Sequence, residues 1–158
     1  MFAFLFLVLS AAFADELKAR CTRVLDGDTI EVTVEGQEIP TKIRLAQIDA
    51  PEKKQDYGVI AKVNLANLVL NQEIEVEYKK KDRYGRIIGQ VYMDMLIEGS
   101  TERVDINLAQ VSAGLAWVYV AYPHTQLYLT EEAFARKAER GLWKDPSAIP
   151  PWLFRKMQ

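Results

Sequence analysis

Between Leu17 and Met93 the hydrophobic period changes from two to about 3.6 and back to two, and this order constrains the fold more than any single residue. Leu17 to Leu25 is compatible with a strand and runs into a turn signal, Asp26-Gly27-Asp28. Thr29 to Val34 alternates strictly, Glu35-Gly36-Gln37 turns the chain again, and Ile39 to Leu45 returns as a third strand. Pro40 fits only near the start of that strand or on an edge. From Val59 to Leu70, Ala61, Leu65, Leu68 and Val69 fall on one helical face, and Asn71 can end the helix. Ile74 to Tyr78 and Ile87 to Met93 then restore the strand period on either side of the densest basic run, Lys79-Lys80-Lys81-Asp82-Arg83.

Downstream, Asp105 reads as the N-cap of a short helix through Ile106, Leu108, Ala109 and Val111, closed by Gly114. Thr130-Glu131-Glu132 is expected to open a third helix with acidic residues in its first turn, Phe134 and Ala138 on one face and Gly141 after its end. Five strands with one helix between the third and fourth is the plan of a five-stranded OB barrel, here mainly β in an α+β chain with three helices. One domain, residues 15–145, accounts for this pattern. Residues 146–158, with Pro146, Pro150 and Pro151, are expected to form an irregular strap whose aromatics, Trp152 and Phe154, pack back on it.

The 158 residues suffice for one real core and not for two. A formal charge of −2 supplies no general attraction for a polyanion, so contact with nucleic acid has to come from a local cluster such as Lys79 to Arg83. Met1 to Ala14 carries no charge and ends in a small-x-small triplet, Ala12-Phe13-Ala14. It reads as a signal peptide, cut before Asp15 or kept as an anchor, and the expected location is secreted or periplasmic. Cys21 lies in a strand-like run and reads as a small buried residue. A single histidine, His124, argues against a His-rich zinc site and a Ser-His-Asp hydrolase.

The chemistry concentrates in Arg44-Leu45-Ala46-Gln47-Ile48-Asp49-Ala50-Pro51-Glu52, where a strand ends on one guanidinium and two carboxylates, a set able to hold a cation and an anion together. Asp26-Gly27-Asp28-Thr29 adds carboxylates at a tight turn, and Asp82-Arg83-Tyr84-Gly85-Arg86 adds arginines beside an aromatic. Taken singly, each has an ordinary explanation. Asp-Gly-Asp is commonly just a turn, Glu52 could occupy a first helical turn, and a lysine run is commonly a solvated hairpin.

Together, and with Tyr57-Gly58 and Ala61, Gly114-Leu115-Ala116 and Gly141-Leu142-Trp143, these segments make the chain resemble the staphylococcal nuclease (thermonuclease) family from Arg23 to Trp143. Pro150-Pro151-Trp152 with Arg155 is similar to the ending of bacterial exported members. The resemblance implies an OB barrel with three helices and a phosphodiesterase that hydrolyses DNA and RNA with one calcium ion, cleaving P–O5′ bonds to leave 3′-phosphates. Carried onto matching positions, Asp28 and Asp49 bind calcium through their carboxylates and Ala50 through its backbone carbonyl. Glu52 is the general base, Arg44 and Arg86 clamp phosphate, and Arg83, Tyr84 and Tyr122 line the nucleotide pocket. The link from Glu52 to Tyr57 is shorter than in the staphylococcal enzyme, and Tyr119 is out of register with its pocket tyrosines.

These residue types suit such chemistry. An anionic transition state calls for a cation and fixed donors, calcium takes oxygen ligands, and arginine's planar fork meets phosphate bidentately at any working pH. The partners expected are single-stranded or locally melted DNA and RNA, bound by a monomer without an obligate protein partner. The competing class is a barrel that holds nucleic acid or protein without cutting it.

Overall fold

A computed structural model describes residues 15–158, so the expected signal peptide, Met1 to Ala14, lies outside the described residues. The strands are β1 (Asp15–Val24), β2 (Thr29–Thr33), β3 (Thr41–Leu45), β4 (Ile48–Asp49), β5 (Glu73–Lys81), β6 (Ile87–Ile97), β7 (Ser100–Asp105) and β8 (Trp117–Val118). The helices are α1 (Gly58–Val69), α2 (Ile106–Ser112), α3 (Gln126–Lys137) and α4 (Pro151–Phe154), with 3₁₀ turns at Gly141–Lys144 and Arg155–Met157. The sheet order is β3-β2-β1-β5-β6-β7, and a further parallel pairing of β3 with β6 closes the first five into a barrel. This is the OB plan expected from the periodicity.

Strand β1 serves two neighbours. Its first half pairs with β5 and its second with β2, and a register shift between Cys21 and Arg23 supplies the bend. Closure depends on Gly89, which pairs with Leu45 across β3 and β6. A Cβ there would stand 2.4 Å from Val76 Cγ1 and 3.2 Å from Ile43 Cγ2, so only glycine lets the strands meet. The barrel is filled by Cys21, Ile30, Val32, Ile43, Val76 and Val91, all fully buried, and α1 plugs it with Ala61, Leu65 and Val69. Each large aliphatic contributes about 1.5–3 kcal/mol relative to exposure.

Several expectations need correction. Strand β7 buries no apolar side chain along Ser100–Arg103 and so has no hydrophobic alternation to read; it is an edge strand on β6. β4 and β8, two residues each, are too short to show a period, yet their pairing sets Asp49 opposite Trp117. Helix α3 begins after Thr125, a turn before the expected Thr130, because Tyr128, Glu132 and Ala135 form its buried face. Phe134 and Ala138, read as sharing one face, are both exposed and lie off it. Glu132 is not a first-turn acid: it is buried, accepts the Val118 amide hydrogen at 2.8 Å and pairs with Arg136. The strap is partly helical, as α4 and the turn after it show.

Two glycine motifs explain one another. Gly114 ends α2 at φ 71° and Gly141 follows α3 at φ 53°, and a Cβ on either would fall within 2.3 Å of the other segment's backbone oxygen. The Leu142 amide donates to the Gly114 carbonyl at 2.9 Å across this contact.

The barrel is tied to the Asp26–Asp28 turn by Gln110, fully buried on α2. Its Nε2 donates to the carbonyls of Gly27 at 2.7 Å and Ala61 at 3.0 Å, and its Oε1 accepts from Asn64 at 2.6 Å. Replacing Gln110 by leucine strands those partners, at about 1–3 kcal/mol for each buried group left unpaired. Urea unfolding of Gln110→Leu is expected to show a loss of about 2 kcal/mol or more.

Candidate active site

Asp28 and Asp49 reach the site by different routes. The Asp26 carboxylate accepts the Asp28 amide hydrogen at 3.0 Å, closing the turn that leads into β2. Asp28 is then 5% exposed; its Oδ1 accepts from the Thr29 hydroxyl at 3.0 Å and its Oδ2 from the Ala50 amide at 2.7 Å. Asp49, 2% exposed, sits on β4 after the turn at Ala46-Gln47. Gln47, at φ 68°, holds that turn, with its side chain bonded to Gln90 and to the Thr125 amide.

Arg44 bridges the two acids. Nη2 lies 3.1 Å from Asp28 Oδ2 and 2.9 Å from Asp49 Oδ1. Nη1 donates to the carbonyls of Leu45 at 2.8 Å and Ile48 at 2.9 Å, clamping the guanidinium onto its own turn. Among the described residues Nε makes no hydrogen bond.

Pro51 and Glu52 follow directly. Gly58 fixes this link, since a Cβ there would stand 1.9 Å from the Glu52 carbonyl oxygen. The Glu52 amide donates to Gln55 Oε1 at 3.1 Å. Its carboxylate is met by Arg155, whose Nη1 lies 2.6 Å from Glu52 Oε1 while Nη2 lies 2.8 Å from Asp49 Oδ2.

Burial raises the Asp49 carboxyl above its ordinary range; the charge of Asp28 adds to this, and Arg155 and Arg44 oppose it. Asp26 is pushed up to about 7, first by burial and then by the charge of Asp28. Even with Arg44 and Arg155 in place, carboxylates outnumber guanidiniums in this group.

The hairpin between β5 and β6 makes a second group. Asp82 Oδ1 accepts the amides of Tyr84 at 2.9 Å and Arg86 at 3.0 Å, and Oδ2 accepts Arg86 Nε at 2.8 Å. Burial by itself raises the Asp82 carboxyl, but the hydrogen bonds from Arg86 outweigh it and hold the group below the usual carboxylate range. Gly85, at φ 78°, permits the turn. Arg83 and Arg86 lie 4.9 and 5.5 Å from the Tyr84 ring centroid, and that ring is 68% exposed. No direct contact joins this group to Asp28 or Asp49 among the described residues. The parallel pairing of Arg44 with Ile88 nonetheless sets Arg86, the hairpin residue just before β6, beside the strand of Arg44. Tyr122 forms a third element, 57% exposed, with Lys80 5.8 Å from its ring and Tyr119 edge-on at 5.0 Å.

Residues 42–145 match the family described as staphylococcal nuclease homologues. Among relatives, a protein of Escherichia coli named an uncharacterized endonuclease is 42% identical over 140 residues, covering 89% of this chain and 86% of its own. A micrococcal nuclease of Shigella flexneri is 42% identical over 154 residues, 95% of this chain and 87% of that one. The staphylococcal-like nuclease CAN1 of Arabidopsis thaliana is 34% identical over 115 residues, 73% of this chain and 33% of its own. This chain belongs to the staphylococcal nuclease family. It is accordingly a hydrolase acting on ester bonds.

The family is generally metal-dependent, and the donor set here fits a divalent cation of the calcium type. The donors are all oxygen, two of the carboxylates are almost wholly buried, and their neighbours leave a negative excess that burial makes costly. Among the described residues no three acidic, histidine or cysteine side chains group as a metal cage. A calcium-type ion takes about six to eight oxygens, so one held by Asp28 and Asp49 would keep open positions.

Reasoning from the residues missed three groups. Asp26 read as one of the carboxylates at a tight turn, without a role of its own, and its bond to the Asp28 amide appears once the turn is folded. Asp82 stood inside a quoted motif, but nothing in a sequence says which carboxylate an arginine will choose. Arg155, far along the chain, stands in the ending that resembles exported members, but nothing local ties it to the acids.

Cys21 is no candidate nucleophile: burial pushes its thiol up to about 11. At pH 8 the thiolate fraction is on the order of one in a thousand, and thiol reagents are expected to label Cys21 only after unfolding. Asp82→Ala frees Arg86 without touching the core. Hydrolytic kcat/KM is expected to fall on the order of tenfold to a hundredfold, with thermal unfolding nearly unchanged.

Proposed function

We propose that this protein is a calcium-dependent phosphodiesterase that hydrolyses DNA and RNA with little sequence preference, cleaving the P–O5′ bond to leave 3′-phosphates. The observation that carries the reading is the Asp28–Arg44–Asp49 unit, in which one guanidinium nitrogen is shared by two buried carboxylates beside Glu52. The roles follow the family: Asp28, Asp49 and the Ala50 carbonyl would hold the ion, which when bound would supply Lewis acidity and lower the pKa of a water.

Glu52 then accepts the proton of the attacking water, for which its partly exposed carboxylate beside the buried pair is suited. Arg44 and Arg86 stabilise charge on the phosphate oxygens, Arg44 from a fixed frame and Arg86 from the Asp82-held hairpin. Tyr84 and Tyr122, both largely exposed, offer faces for bases, and Lys79 to Arg83 extends positive charge beyond one phosphate. Contacts of this kind read backbone and base faces, which accounts for weak sequence preference. Export as a monomer, secreted or periplasmic, completes the reading.

Degradation of single-stranded DNA should require calcium and stop with chelator. Glu52→Gln and Arg86→Ala should each lower the rate roughly 10²-fold or more while remaining folded. Cleavage should weaken steeply with added salt, as a small phosphate ester would not. DNA binding without cleavage in any divalent ion would instead make the protein a binding module.

A further inference from the structure

The end of the chain reaches the acids by a route that its packing dictates. Pairing of β4 with β8 sets Asp49 opposite Trp117. The Trp152 indole meets Trp117 edge-on at 5.8 Å and lies against Tyr119 at 5.3 Å, and Pro151 beside it is buried. The Ile149 carbonyl accepts from Gln55 Nε2 at 2.5 Å, joining the strap to the residue that also bonds the Glu52 amide. Positions three apart share a helical face. Seating Trp152 on Trp117 therefore delivers Arg155, one turn later, to Asp49.

There the guanidinium binds Asp49 Oδ2 at 2.8 Å and Oδ1 at 3.3 Å, and Glu52 Oε1 at 2.6 Å. A carboxylate lone pair directed at an N–H is not available to a cation or to the proton of a water. Arginine stays charged at any working pH, so deprotonation cannot relieve the conflict. Movement can, because the Arg155 side chain is 44% exposed and its neighbours Lys156, Met157 and Gln158 are exposed as well.

We propose that Arg155 is a cation-mimicking latch: it neutralises Asp49 and Glu52 in the metal-free protein and is displaced when the divalent ion binds. The latch rests on the reading of Asp28 and Asp49 as metal ligands. It lets the acidic site fold without its ion and raises the ion concentration at which the site loads. Its two anchors, Trp152 and Ile149, stay in place while the guanidinium swings out.

Calorimetric titration of the metal-free full chain with calcium chloride tests this, with Arg155→Met, Arg155→Lys and Lys156→Ala beside wild type. Methionine keeps the apolar stem and removes the charge. If the closed state holds about nine-tenths of the population, Arg155→Met should bind calcium about tenfold more tightly. Arg155→Lys, charged but unable to bridge both carboxylates as a fork, should fall between, and Lys156→Ala should match wild type.

Melting gives a second readout. Arg155→Met should melt below wild type in chelator and draw level at saturating calcium, because the ion replaces the lost charge; a merely structural role would lower both. Equal or weaker calcium affinity in Arg155→Met and Arg155→Lys, with calcium still binding wild type, would overturn the latch and leave the metal site standing. Absence of calcium binding in every variant would overturn the ligand assignment and the latch with it.

Discussion

Two carboxylates with almost no access to water, Asp28 and Asp49, share one nitrogen of Arg44, and much of the surrounding structure serves to tolerate that placement. Buried acids of like charge are costly unless fixed donors meet them. The Ala50 amide, the Thr29 hydroxyl and Arg44 do so for this pair, and each is held by a neighbouring backbone element. Asp26 is pushed up to about 7, first by its own burial and then by the charge of Asp28, and Asp49 is raised by burial. A site in this condition attracts positive charge, whether from a bound ion or from the chain itself.

Close backbone approaches bring the acids together. A Cβ on Gly27 would stand 2.7 Å from the Cβ atoms of both Ala50 and Ala61, so the Asp26–Asp28 turn, β4's end and α1 meet only because that residue is glycine. Gly58 plays the same part against the Glu52 carbonyl, and Gly89 closes the barrel on which Arg44 and Arg86 ride. Small residues here therefore act on function through distance. The plug helix α1 adds apolar burial behind the turn, and Gln110 adds the hydrogen bonds that hold it.

The barrel was legible in the sequence because its strands alternate and its first helix keeps one apolar face. Arg44, Asp49 and Glu52 were legible because they follow one another along the chain, so local geometry alone keeps them close. β7 was not, since an edge strand facing water has no alternation to show. The α3 boundary went astray because acidic residues at Glu131 and Glu132 resemble a first turn, whereas Glu132 is buried to bond the Val118 amide. The arrival of Arg155 depends on aromatic packing between Trp117 and Trp152, a long-range contact that no spacing rule encodes.

The central claim is that Asp28 and Asp49 form the seat of a divalent ion used in phosphodiester hydrolysis. The most direct measurement is a crystal structure grown with calcium and a non-cleavable oligonucleotide. The account expects one ion contacting both carboxylates and the Ala50 carbonyl, with a phosphate between Arg44 and Arg86. Calcium located elsewhere, or none at all in protein shown to cleave DNA, would contradict it.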